Sequence, residues 1–70
     1  MSDAVTRAAG EVRAALARAN ITQTEVAERT GRSQAYWSRR LTGETPLDVS
    51  DLDLIAAITG VPVASLVSAA

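Results

Sequence analysis

The stretch ITQTEVAERTGRSQAYWSRRLTG, residues 21–43, decides the fold. Thr22 and Glu25 have the T-x-x-E spacing of a capping box, in which each side chain satisfies a backbone N–H that the helix start leaves free. Ile21 before the cap and Val26 four residues into the helix form a hydrophobic staple. The helix so started runs to about Thr30 and stops at Gly31, which accepts the left-handed conformation at no steric cost. Ser33 caps a further helix running to about Thr42, with Gly43 as its terminator. Only Gly31 and its neighbours separate the two helices, and so short a connection forces them to cross steeply.

N-terminal to this stretch, a first helix is expected from about Asp3 to Ala19, with Ser2 or Asp3 as its cap. Val5, Ala9, Val12, Leu16 and Ala19 recur at steps of four and three and make one apolar stripe. Gly10 costs about 1 kcal/mol in a helix interior relative to Ala. Its presence predicts either fraying before Gly10 or close packing of another helix there. Beyond Gly43, Glu44 to Val49 reads as a loop stiffened by Pro46, with Leu47 as its core candidate. Ser50 is the expected cap of a fourth helix, with Val49 and Leu54 as its staple. Leu52, Ile55, Ala56 and Thr59 face the core and Gly60 ends that helix. Pro62 suits the first position of a short final helix carrying Val63, Leu66 and Val67. The expectation is an all-α fold, a compact bundle of five short helices forming one domain over residues 1–70. Residues 1–9 read either as a helical extension or as an arm.

Composition removes most chemistry. The chain has neither Cys nor His, and so no thiolate, no imidazole base and none of the commonest metal ligands. It has no glycine-rich phosphate loop and no pair of carboxylates in an apolar setting. Asp51 and Asp53 fall in the first turn of the fourth helix, where they favour the helix dipole. No enzyme activity, cofactor, metal site, small-molecule substrate or membrane span is expected. With no basic-then-apolar leader at the N-terminus, a cytoplasmic location is.

The formal net charge is −1, but its distribution matters more to a polyanion than its sum. Arg29, Arg32, Arg39 and Arg40 lie between residues 29 and 43 with no acid among them; Glu44, Asp48, Asp51 and Asp53 lie between residues 44 and 55 with no base. The acidic run is expected to face away from any bound phosphate.

On a helical wheel the third helix buries Trp37 and Leu41. Ala35, Ser38, Arg39 and Thr42 gather on the opposite side, with Gln34 beside them in the first turn. That face holds an amide, a methyl, hydroxyls and a guanidinium, the groups that pair with base edges in a major groove: Arg with guanine, Gln with adenine, Ala with a thymine methyl. Ordinary exposed helix faces carry Glu and Lys at spaced pairs, and this one carries neither. Arg40 lies near the buried side, so its methylenes run along the core and its head group emerges to meet phosphate. Tyr36 has two places to go, against the fourth helix or with its hydroxyl on the DNA backbone. At the start of the second helix the free N–H groups attract phosphate. Gln23, which has no capping duty, adds a donor there.

Taken together, Gln23, Val26, Ala27, Gly31, Ser33, Trp37, Ser38, Leu41 and Gly43 resemble the lambda-type Cro and repressor helix-turn-helix family, also called the xenobiotic response element family. DLDLIAAITGVPVASL, residues 51–66, is similar to that family's fourth and fifth helices, so the resemblance spans about residues 12 to 67. It implies a third helix lying in the major groove, with Gln34, Ala35, Ser38 and Arg39 facing base edges. It implies a phosphate contact from Gln23 and contacts to the other strand from the segment Arg40 to Thr45. The full set of expected phosphate contacts is Thr22, Gln23, Arg32, Ser33, Tyr36, Arg40, Thr42 and Thr45. Ala27 is the small residue that lets the second and third helices approach. Arg40 stands where the family often has an apolar residue, and Asn20 where it often has glycine. The implied partner is a double-stranded DNA operator, bound by a chain that is a monomer or weak dimer when free and pairs on DNA. The expectation is either a complete phage Cro-like regulator or the N-terminal domain of a longer repressor. An antitoxin of the helix-turn-helix type, presenting Val63, Leu66 and Val67 to a toxin, is the alternative.

Overall fold

The computed structural model describes residues 3–67 of the chain. Over them run five helices: α1 Asp3–Arg18, α2 Gln23–Thr30, α3 Gln34–Leu41, α4 Val49–Thr59 and α5 Val63–Val67. The described residues are all-helical, as the apolar periodicity predicts. The expected α1 cap at Ser2 or Asp3 lies outside the residues and side chains described.

The core is one cluster to which every helix contributes. Val12, Ala15 and Leu16 come from α1, Val26 and Ala27 from α2, Trp37 and Leu41 from α3, Leu52 and Ile55 from α4, and Leu66 from α5. Trp37, Ile55, Val12 and Val26 are fully enclosed. In so small a domain total stability is only about 5 kcal/mol. Removing the Trp37 side chain, at about 3–5 kcal/mol, would consume most of it. Leu66 seats α5 on this cluster, and Ile21, Leu47, Ile58, Val61 and Val63 close its rim.

Three local expectations are corrected. Ala19 does not extend the α1 stripe: α1 ends at Arg18 because Asn20 turns left-handed, at φ 57°, and Ala19 is exposed while Ala15 takes the core position. Gly10 neither ends the helix nor receives a neighbour; a Cβ there would meet only the Arg13 Nη2 at 3.7 Å. Asp48, not Ser50, caps α4: its carboxylate accepts the Asp51 N–H at 2.8 Å, and Ser50 donates to that same carboxylate at 2.8 Å. An ionised cap accepts more strongly than a hydroxyl, and D-x-x-D closes a box of the T-x-x-E kind. With the cap moved back two residues, Val49 is left 72% exposed and makes no staple.

Candidate nucleic-acid interface

The α2–α3 unit is fixed by short-range bonds that the sequence dictates. Thr22 accepts the Glu25 N–H at 3.1 Å, and Glu25 returns an acceptor to the Thr22 N–H at 3.2 Å. Gly31 caps α2 at φ 70°. Ser33 caps α3 by accepting the Tyr36 N–H at 3.0 Å. Across the turn, the Trp37 indole N–H donates to the Thr30 hydroxyl at 2.9 Å, and that hydroxyl donates to the Val26 carbonyl at 2.7 Å. The buried indole is thereby satisfied, and the bond ties α3 to the end of α2 at a fixed height. Ala27, only 9% exposed, lies in the core between them.

At the far end of α3, Thr42 and Thr45 fold back. The Thr42 hydroxyl and the Thr45 N–H both donate to the Arg39 carbonyl, each at 3.1 Å. Arg13 of α1 donates to the Leu41 carbonyl, a cation placed where the helix dipole is negative. Nothing in the sequence pointed to Arg13, whose partner is 28 residues away.

This anchoring leaves α3 with three sectors. Trp37 and Leu41 face inward. Gln34, Ala35, Ser38 and Arg39 are all exposed, together with Thr42 at the C-cap. Among the described residues, no side-chain hydrogen bond engages Gln34, Ser38 or Arg39, so their donors and acceptors face solvent. Gln23 of α2 reaches over and donates to the Gln34 carbonyl at 3.4 Å, setting the two glutamines side by side at the entry of α3. Thr22, Gln23 and Ser33 are exposed, and Arg32 and Thr45 are half-buried. Arg29 is partly spent, pairing with Glu25 at 3.5 Å.

The third sector, Tyr36 and Arg40, turns toward the start of α4 and meets Asp51. The Arg40 Nε donates to Asp51 Oδ2 at 2.8 Å, and the Tyr36 hydroxyl donates to Oδ1. The Asp48 N–H adds a third bond, to Oδ2 at 3.0 Å, and Asp51 is wholly buried. This corrects two expectations. Asp51 is no solvated member of an acidic face; it lies inside the molecule, bonded to the basic segment. Arg40 does not send its whole head group outward, because the Nε is committed to Asp51. Of the two places open to Tyr36, its hydroxyl takes the one against α4. Burial, and then the Asp51 carboxylate that accepts its proton, raise the Tyr36 phenol above its ordinary pKa of 10.0. The Asp51 N–H, and then the Ser50 hydroxyl, hold the Asp48 carboxyl below its ordinary value.

Glu44, Asp48 and Asp53 are exposed. Among the described residues no three acidic side chains converge as a cation site would require, and no helix is long and apolar enough to cross a membrane. Of the apolar tail, Leu66 is buried at 1% exposure, while Val67 is 40% exposed.

No curated protein and no solved structure matches the chain. A family model described as a helix-turn-helix domain matches residues 7–68, nearly the whole chain, from within α1 to the end of α5. The fold of that family points to DNA binding and a regulatory role. With the α2–turn–α3 unit in place and an open polar face on α3, the chain belongs to the helix-turn-helix domain family.

Proposed function

We propose that this chain is a sequence-specific double-stranded DNA-binding regulator of the Cro and repressor kind, with α3 as the helix that enters the major groove. The observation that carries this is the exposed sector of α3: Gln34, Ala35, Ser38 and Arg39 stand in solvent without acid or large apolar group among them. Gln34 and Arg39 have the bidentate geometry that purine edges require. Ala35 offers a methyl contact and Ser38 a hydroxyl. Around them Thr22, Gln23, Arg32, Ser33, Tyr36, Arg40, Thr42 and Thr45 are assigned to the two phosphate backbones. Of Arg40, only the Nη groups that Asp51 leaves over serve directly; Tyr36, its hydroxyl proton given to Asp51, serves through the guanidinium groups of Arg32 and Arg40 held on its ring.

The antitoxin alternative needs an apolar surface at the tail, and the core takes Leu66 from it. The same shortage supports a free chain that is monomeric or weakly dimeric. Among the described residues the exposed large apolar side chains are Val49 and Val67, whereas a stable interface buries about 1,200 Å² or more. Two copies would then meet on half-sites about 34 Å apart along the duplex.

The test is a pair of substitutions read on two duplexes. Gln34→Ala and Arg39→Ala should each cost about 1–3 kcal/mol on a selected site and much less on random DNA. Equal losses on both duplexes would assign these residues to positioning and refute base readout by α3.

A further inference from the structure

The buried carboxylate of Asp51 is unusual for what it leaves undone. A guanidinium and a carboxylate pair most strongly through two parallel N–H···O bonds. Here Asp51 takes only the Nε of Arg40. Its other bonds come from the Tyr36 hydroxyl and the Asp48 N–H. Among the described residues the two Nη groups of Arg40 have no hydrogen-bond partner, and no buried side-chain polar atom is left unsatisfied. The Nη groups therefore open to solvent, consistent with an Arg40 side chain 18% exposed. The Arg40 guanidinium lies over the Tyr36 ring at 3.7 Å from its centroid, and the Arg32 guanidinium lies 5.1 Å from the same centroid. Two like charges thus share one aromatic ring, whose π-density attracts both. One carboxylate holds the ring by its hydroxyl and one cation by its Nε.

A pair that served only to staple α3 to α4 would gain from enclosing the whole guanidinium fork. This arrangement fixes the inner edge and leaves the outer edge, the four Nη hydrogens of a planar fork, without a hydrogen-bond partner and near Arg32 on the shared ring. Such a fork matches a phosphate, and holding it in place beforehand removes the ordering cost that a free arginine bears on binding. Arg32 and Arg40 set two positive charges against the buried Asp51 carboxylate, and the exposed Asp48 carboxylate also lies within electrostatic reach of Arg40. From this geometry we infer that Asp51 is a positioning residue for DNA binding: through Arg40 Nε and the Tyr36 hydroxyl it presents Arg40, with Arg32 alongside, as a preformed clamp for a backbone phosphate. The inference rests on the reading that α3 lies against duplex DNA.

The sign of the effect separates positioning from simple electrostatics. Asp51→Asn removes a negative charge, and a charge effect alone would tighten binding to a polyanion. The positioning role predicts the reverse. With the whole chain and a selected duplex, Asp51→Asn should weaken binding about five- to tenfold at low salt, on selected and random DNA alike. The slope of log K against log salt should fall in magnitude by about 0.9, one phosphate contact. Placed on an Arg40→Ala background, the same substitution should cause no further loss. Folding is checked by the fluorescence of the single tryptophan. If Asp51→Asn does not fold, Tyr36→Phe keeps the ring and loses only the hydroxyl link, and should weaken binding about twofold with a shallower slope. Affinity and slope unchanged or increased in a folded variant would overturn the inference while leaving DNA binding intact. A parent chain that binds no duplex with any salt dependence would overturn it together with the reading on which it rests.

Discussion

The same substitution, glycine to alanine, should have opposite effects at two positions of this chain. Gly10 lies inside α1, and a Cβ built there meets nothing closer than the tip of the flexible Arg13 side chain at 3.7 Å, an ordinary contact. Gly10→Ala therefore gains the helix propensity difference, about 1 kcal/mol. Gly31 caps α2 at φ 70°, with nothing within 4 Å of a built Cβ. No collision arises there, so the cost is the backbone alone: an L residue in the left-handed region costs about 1–2 kcal/mol, offset in part by the smaller entropy of the unfolded chain. The two variants should differ by about 2 kcal/mol. In a domain of this size about 1 kcal/mol moves Tm by roughly 4–8 °C, so Gly10→Ala should melt above the parent, Gly31→Ala below it, with roughly 10 °C between them. Thermal unfolding followed by Trp37 fluorescence and by helix circular dichroism measures both. Equal shifts of the same sign would refute the assignment of Gly31 to the turn. A destabilised Gly10→Ala would mean that α1 has a close neighbour at that position.

Thr30→Val removes the acceptor of the buried Trp37 N–H while preserving shape, and should cost about 1–3 kcal/mol in urea unfolding; an unchanged midpoint would show that the indole has another partner. Tyr36 is the only tyrosine, so its ultraviolet absorbance titrates alone, with a midpoint expected above 10.0. Because the folded state holds that proton more tightly than the unfolded chain, the associated stability is present below about pH 10 and is lost as pH rises through the folded value. Tyr36→Phe should flatten that alkaline loss. Asp48 works in the opposite direction: its lowered pKa gives stability above about pH 4 that is lost as pH falls through the folded value. Asp48→Asn should therefore weaken the acid dependence.

What could be read from the sequence was what depends on neighbours within one turn. Thr22 with Glu25, Gly31 and Ser33 announce the α2–α3 unit because each acts on backbone groups three or fewer residues away. The inward and outward sectors of α3 follow from 3.6-residue periodicity, which separates Trp37 and Leu41 from Ala35, Ser38 and Arg39. The α4 cap falls at Asp48 and not at the expected Ser50, although D-x-x-D stands in the sequence. Ser is a favoured cap and Val49 resembled a staple, and nothing local ranks two overlapping caps. Asp51 was out of reach for a different reason. Its partners lie 11 and 15 residues away across a loop, and a carboxylate in the first turn of a helix ordinarily favours the dipole in water. Only the placement of α4 against the Tyr36–Arg40 sector shows that this one is enclosed. Arg13, with its partner on another helix, was invisible on the same ground.

The claim that α3 reads bases is tested most directly by selecting duplexes from a random pool with this chain, then titrating the recovered duplex and a scrambled one against increasing salt. A defined enriched sequence is expected, bound roughly a thousandfold tighter than its scrambled form, with both affinities falling as salt rises. A pool that returns no preferred sequence, or two duplexes bound alike, would contradict it.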